Sequence, residues 1–331
     1  MAAVLVTGGT GFIGGWCIVE LLKRGYDVRT TVRSRSKEGA LRSAIETVAG
    51  GTDRLTCVIA DLTADSGWDE AVAGCDYVLH VASPLGDSSD DEKTLIAAAH
   101  DGTLRVLRAA ANAGVKRVVM TSAAATARPP HDSDRVSDET MWADEKDPQF
   151  DAYRRSKILA ERAAWDFVQS TPTNTTLTTI LPGAVFGPVL STATLGSVQI
   201  IGGLMQGRPP GLARIGFWVV DVRDLAELHV HAMTAPEAAG ERFIAAGDFM
   251  WMADLAAALH AGLGERAAKV PTRELPDDLV RVLAFFLKPL RSMLPFLGRR
   301  NELTSEKARR MLGFAPRPAA FTVVDCARSL I

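Results

Sequence analysis

The chain has 331 residues, 47% hydrophobic and 23% charged, with 37 basic against 39 acidic side chains and a net charge of −2. That length allows one large or two ordinary domains with ample core, and the near-neutral balance gives no case for nucleic acid or an anionic membrane as the main partner. Cys17, Cys57, Cys75 and Cys326 are scattered, with no C-x-x-C pair, which argues against a metal site or disulfide framework and leads us to expect a reducing, cytoplasmic location.

A strand pattern begins by Ala3, so no secretory leader is expected. Residues 4–14, VLVTGGTGFIG, read as a buried strand, a glycine-rich turn and a helix start. Gly8, Gly11 and Gly14 fall at the spacing G-x-x-G-x-x-G, a variant of the dinucleotide fingerprint: the first allows the tight turn, the second lets backbone approach a pyrophosphate, and the third lets helix pack on strand. The helix start at Phe12, Ile13 and Gly14 offers unpaired N–H groups to phosphates. Helix patterns follow at 12–24, 38–49, 68–73, 93–113 and 151–168, alternating with apolar strand patterns at 28–32, 55–59, 77–82, 115–120 and 177–181. Continuous apolar strands between helices predict an α/β fold with a Rossmann-type doubly wound parallel sheet.

Residues 128–150, with Pro129, Pro130, Pro148 and many acids, read as a surface excursion. Beyond about 183 the alternation loosens. We therefore expect a dinucleotide-binding domain over 1–182 and a smaller, mainly substrate-binding C-terminal domain over 183–331, with late strands at 217–221 and 242–246 returning to the main sheet. The apolar, basic stretch 279–300 is broken by Pro289 and Pro295. It reads as a pair of packed helices, with contact at a membrane surface as the alternative and stable insertion not expected.

The residue ending the second strand of such a unit meets the adenosine ribose, an acid there favouring NAD and a base NADP. This chain has Arg33 there, in Thr31-Val32-Arg33-Ser34-Arg35-Ser36-Lys37, and no acid. Arg33 can grip a 2′-phosphate in bidentate fashion, with Lys37 as a second cation, so NADP(H) is the expected cofactor. Asp61, after the third strand, either accepts from the adenine amino group or simply forms a turn.

Tyr153 and Lys157 stand at i and i+4 on the helix after the fifth strand, and their stripe continues through Ala160, Ala164 and Phe167. Three tyrosines in the chain make the pair uncommon: composition alone predicts about 0.08 Y-x-x-x-K matches. An ammonium beside a phenol is expected to lower its pKa and make Tyr153 a general acid for a carbonyl oxygen. Lys157 is also placed to hold a nicotinamide ribose.

Together with Asp61-Leu62, His80-Val81-Ala82-Ser83-Pro84, YRRSK at 153–157, LPGAVFGP at 181–188, VDVRDLA at 220–226 and SEKARRMLG at 305–313, these motifs resemble the extended short-chain dehydrogenases/reductases. Within them the chain is most similar to the dihydroflavonol-4-reductase-like and microbial carbonyl-reductase branch. The resemblance covers nearly the whole chain. It implies further cofactor contacts at Leu62, Val81, Ala82, Ser83, Pro182, Gly183 and Val185, besides Tyr153 and Lys157. It also implies a serine after the fifth strand that orients the substrate carbonyl. Many members read T-S-S-A there, but this chain reads Thr121-Ser122-Ala123-Ala124-Ala125-Thr126, with alanine at the usual catalytic position. Ser122 is expected to take the role, Thr126 is a second candidate, and tyrosine alone is the third.

The function expected is NADPH-dependent, reversible reduction of an aldehyde or ketone, with Ser122, Tyr153 and Lys157 as catalytic residues and no metal. Met205, Phe217 and Trp218 are candidates either for pocket lining or for ordinary core. The alternatives are an NAD-dependent nucleotide-sugar epimerase or dehydratase, a hydroxysteroid-dehydrogenase-like enzyme, and an NADP-binding redox sensor without turnover. The expected partner is a small carbonyl compound, and the chain is expected to be a monomer or homodimer.

Overall fold

A computed structural model describes residues 2–84, 91–130, 133–191, 196–286, 288–291 and 293–331. Parts of two expected segments therefore lie outside the described residues: His131 and Asp132 of the excursion, and Leu287 and Ser292 of the apolar stretch.

Ten strands are described. They are β1 (Ala3–Thr7), β2 (Asp27–Val32), β3 (Leu55–Ile59), β4 (Tyr77–His80), β5 (Arg117–Thr121), β6 (Thr176–Pro182), β7 (Ala184–Phe186), β8 (Gly216–Asp221), β9 (Arg242–Ala245) and β10 (Phe249–Trp251). Seven form one sheet in the order β3-β2-β1-β4-β5-β6-β9, and every pairing in it is parallel. The order reverses between β1 and β4, which is where α/β sheets of this kind bind their ligands.

The connecting helices are α1 (Phe12–Lys23), α2 (Glu38–Ala49), α3 (Trp68–Val72), α4 (Glu92–Asn112), α5 (Ala152–Ser170), α6 (Val198–Met205) and α7 (Val222–Thr234). Then come α8 (Met252–Leu263), α9 (Asp277–Phe286), α10 (Lys288–Arg291), α11 (Glu306–Leu312) and α12 (Ala319–Arg328). Strand side chains alternate between the faces, so both faces need cover. Val4, Val6, Leu79 and Val119 join one core with Ile18, Ile45 and Leu225 of α1, α2 and α7. Leu5, Val78, Val118 and Met120 join another with Trp68, Val106 and Ala164 of α3, α4 and α5. A third core, around Phe186, Ile201, Val219, Leu255 and Val323, belongs to the C-terminal segments.

One expected strand goes elsewhere. β9 does pair with β6 at the edge of the main sheet, but β8 pairs with β7 and β10 in a separate three-stranded sheet. Gly183 separates β6 from β7, and a Cβ there would collide with the Trp218 carbonyl oxygen, so β8 passes directly over this point. In the 279–300 stretch, α9 buries Val280 and Ala284 and leaves Phe285 and Phe286 exposed. Among the described residues no helix is long and apolar enough to cross a membrane.

Candidate active site

The site begins where β1 runs into α1. Gly8 has φ +73°, and a Cβ on it would lie 2.9 Å from the Ala82 Cα, so only glycine fits comfortably. A Cβ on Gly14 would strike the Gly8 carbonyl oxygen, which already accepts from the Gly11 N–H at 2.9 Å. α1 starts with no side-chain cap, so the N–H groups of its first turn, at Phe12, Ile13 and Gly14, are left for a ligand. The Phe12 and Ile13 side chains pack on the core beneath.

Thr7 fastens the neighbouring strand end. Its Oγ1 accepts from the Val81 and Ala82 N–H groups at 3.1 and 3.0 Å and lies 2.9 Å from His80 Nδ1. With both acceptances fixed, the Thr7 hydroxyl donates to Nδ1, so His80 carries its proton on Nε2, 3.3 Å from Thr103 Oγ1. Burial, aided by the nearby Lys157 charge, brings His80 down to about 3 and keeps it neutral. Ser83, half-buried, continues this segment along the sheet edge.

A cavity beside the glycine turn is lined by Gly9, Thr10, Gly11, Lys37 and Leu190. Arg33 is exposed just beyond β2, close enough to Asp61 to help lower its pKa. The stronger influence on Asp61 is Thr63, whose N–H and Oγ1 bond to Oδ1 at 2.8 and 2.7 Å. Asp61 thus closes its own turn. Leu62 packs on α4, where a Cβ on Gly102 would lie 2.8 Å from the Leu62 Cβ. The glycine turn with its uncapped helix, and the exposed cations Arg33 and Lys37, fit the pyrophosphate and 2′-phosphate of NADP(H).

Across the reversal point, α5 is started by Asp151, whose Oδ1 accepts from the Arg154 N–H at 2.8 Å. One turn in, Lys157 is 4% exposed, donates from Nζ to the Thr121 carbonyl at 3.2 Å, and lies 5.9 Å from the Tyr153 ring centre. Burial brings Lys157 down to about 8 against the opposing pull of Glu161. Tyr153 departs from expectation. Its pKa is raised, mainly by burial, with Arg154 opposing, and Lys157 is not among the causes. The phenol is therefore the populated form at neutral pH, which is the form a proton donor requires.

Ser122 is also placed differently from expectation. Its hydroxyl donates to Glu161 Oε2 at 2.6 Å, and the residue is 2% exposed. Glu161 lies two helical turns beyond Tyr153. The same carboxylate accepts from Thr179 Oγ1 at 2.8 Å and from Arg242 Nε at 2.9 Å. Burial pushes the Glu161 carboxyl up, but Arg242 and Ser122 outweigh it and leave the group ionised. The Ser122 hydroxyl thus serves this buried ion pair instead of opening on the cleft. Thr126 is fully buried and donates to the Ala123 carbonyl at 2.9 Å. Ala123, Ala124 and Ala125 are half-buried at this turn.

Pro182 ends β6, the Gly183 N–H donates to the Ala245 carbonyl at 3.0 Å, and Val185 is 7% exposed within β7. Met205 and Phe217 pack against the C-terminal core. Trp218 bonds from Nε1 to the Asn301 carbonyl at 2.8 Å and meets Phe249 edge-on. Sequence reasoning missed the Glu161–Arg242 pair. Its available signal was an acid at i+4 from Lys157, on the stripe otherwise read as core. It also missed Arg128, Arg154 and Phe296, which meet beside the start of α5.

Residues 4–247 match the family model of the NAD dependent epimerase/dehydratase family. The chain is 38% identical over 297 residues to ketoreductase azaE of Aspergillus niger, covering 83% of this chain and 87% of that protein. It is 33% identical over 286 residues to dihydroflavonol 4-reductase of Solanum lycopersicum, covering 84% and 74%. Gre2 of Candida albicans, solved in complex with NADPH, superposes with a TM-score of 0.83 at 26% identity over 100% of this chain and 98% of that one. The chain belongs to the NAD dependent epimerase/dehydratase family, as an extended short-chain dehydrogenase/reductase of the dihydroflavonol-4-reductase-like and carbonyl-reductase branch.

Proposed function

We propose that this protein is an NADPH-dependent reductase of a small aldehyde or ketone, with Tyr153 as the proton donor. The carrying observation is the pairing of a protonated, half-buried Tyr153 with a buried Lys157 at the carboxyl edge of the sheet, across from an uncapped glycine turn. The reductase names of the relatives and the NADPH in the Candida albicans Gre2 complex support the same reading. When bound, NADPH supplies the hydride. Gly8, Gly11 and the first turn of α1 hold the pyrophosphate, and Arg33 with Lys37 holds the 2′-phosphate. Val81, Ala82, Ser83 and the 182–185 segment flank the rest. Lys157 keeps the ribose and the Thr121 carbonyl in place, and Tyr153 gives its phenolic proton to the carbonyl oxygen as that oxygen gains charge. Because Ser122 and Thr126 are committed inward, Tyr153 acts as the main donor to that oxygen. The segments beyond 183 close the substrate side. Arg33 in place of an acid after β2 separates this reading from an NAD-dependent epimerase.

NADPH oxidation, with NADH in parallel, against aromatic aldehydes, β-ketoesters, α-diketones, dihydroflavonols and ketosteroids tests it. Turnover with NADPH well above NADH is expected. Tyr153→Phe should cut kcat by about 10²–10⁴ while NADPH binding persists. Equal turnover by this variant would remove Tyr153 from the mechanism. No turnover by the unaltered protein, despite NADPH binding, would favour a sensor.

A further inference from the structure

Arg128 is the residue immediately after the 3-10 turn at 124–127 that follows β5. It is half-buried, and among the described residues it makes no hydrogen bond and no ion pair. Its partner among the described residues is aromatic: the guanidinium carbon lies 4.5 Å from the ring centre of Phe296, in the turn Leu294–Phe296. Arg154, the residue after Tyr153, lies 4.6 Å from the same ring centre and is paired with Asp151. Three segments thus bring two guanidinium groups to one ring at the start of α5, the helix that carries Tyr153.

Asp151 answers Arg154, but among the described residues no carboxylate pairs with Arg128. Burial first, then the like charge of Arg154 with a smaller one from Arg299, lowers Arg128 to about 10, and only Asp147 opposes. A partly desolvated cation crowded by its own sign is costly unless an anion joins it. The fork is also reachable, because the sealed and unpartnered side-chain nitrogens among the described residues are Arg155 Nε and Trp165 Nε1, not those of Arg128. A planar guanidinium takes a carboxylate or phosphate in bidentate fashion, and an aromatic ring beneath it fixes its plane.

We propose that Arg128, with Arg154 beside it, binds an anionic group (carboxylate or phosphate) carried by the carbonyl substrate. This rests on the reductase reading above and adds the charge class of the substrate. The matched pairs 4-carboxybenzaldehyde with benzaldehyde, and D-glyceraldehyde 3-phosphate with D-glyceraldehyde, test it and distinguish the two anions. A charge-assisted contact predicts roughly 10- to 100-fold higher kcat/KM for the charged member of one pair, expressed mainly in KM. Arg128→Met should bring that ratio near one, and Arg128→Lys should keep part of it. Arg128→Gln reads the same ratio if the Met variant does not fold. Equal kcat/KM within both pairs, or a ratio unchanged by the variants, would overturn the proposal. If none of the four compounds turns over, calorimetry with benzoate and with inorganic phosphate on the NADP-loaded protein decides. Saturable binding lost in Arg128→Met supports the anion site and puts the failure on the reductase reading. Binding of neither anion overturns the site itself.

Discussion

At Gly8 and Gly14 the backbone itself forms the cradle proposed for the cofactor, within one turn and a few residues. At the proposed reaction edge, Ala123, Arg128, Tyr153 and Phe296 arrive from three separate segments, and side chains would do the work. The first region tolerates almost no added atom. The second is defined by which charges and hydroxyls meet there, and its steric demands are looser. The cradle should therefore fail completely under small changes, while the reaction edge should shift in rate, pH dependence and substrate choice.

The largest effect is expected in the cradle. Gly14→Val places side-chain atoms against the Gly8 carbonyl, and the obstacle is backbone. NADPH binding, followed by fluorescence titration, should weaken by more than about 10²-fold. Retained binding would mean that the turn is more compliant than its geometry indicates.

Next comes the buried support behind the reaction edge. Arg242 is 7% exposed and bonds to Glu161, to the Glu139 carbonyl at 2.8 Å and to the Met141 carbonyl at 2.6 Å. Arg242→Met leaves Glu161 buried without its cation, so guanidinium denaturation should show a loss of about 3–5 kcal/mol. A loss below about 1 kcal/mol would show that Glu161 is protonated or hydrated in the variant.

A smaller effect, of opposite sign, is expected at Ala123. Ala123→Ser restores the hydroxyl that many members carry at this position and adds a second donor to the proposed site. Since removing one such donor elsewhere costs roughly 10²–10³ in rate, a gain of about tenfold in kcat is expected. An unchanged kcat would show that Tyr153 already meets the carbonyl oxygen's full demand.

The gentlest test is pH. Lys157 sits at about 8, below its ordinary value of 10.5. As pH rises through 8 the free enzyme loses this charge, so kcat/KM for reduction should fall with a single-proton dependence centred there. The stability contribution runs the other way. Between about pH 8 and 10.5 the unfolded chain binds the proton that the folded chain has released, so this lysine's contribution to stability rises with pH across that window. Tm and kcat/KM moving in opposite directions would identify Lys157, and a common fall would point to general unfolding.

The same contrast explains what could be read from residues alone. The glycine turn, the strand runs and the Tyr153–Lys157 spacing are local patterns, and 38–49 and 55–59 coincide with α2 and β3. The long-range pairings were less legible. β8 was expected in the main sheet because its apolar run looks like any buried strand, whereas it pairs with β7 beyond Gly183. Ser122 was expected in the cleft by analogy of position. Its hydroxyl's direction depends on Glu161 and Arg242, which lie 39 and 120 positions further along the chain. Lys157 was expected to act on the Tyr153 phenol, yet burial sets the direction, and burial is a property of the assembled fold. Arg128 carried no signal at all, since an arginine after a turn is ordinarily solvated.

The inward commitment of Ser122 has an engineering consequence. Positions 122 and 123 are neighbours with separate constraints: Ser122 answers to the buried ion pair, while Ala123 is half-buried and its methyl group takes no part in that pair. A library confined to 123 and 128 therefore tests the proposed control of rate and substrate charge while leaving the Glu161–Arg242 support untouched. The scaffold thus offers two adjustable sites set on a foundation that does not have to be rebuilt each time.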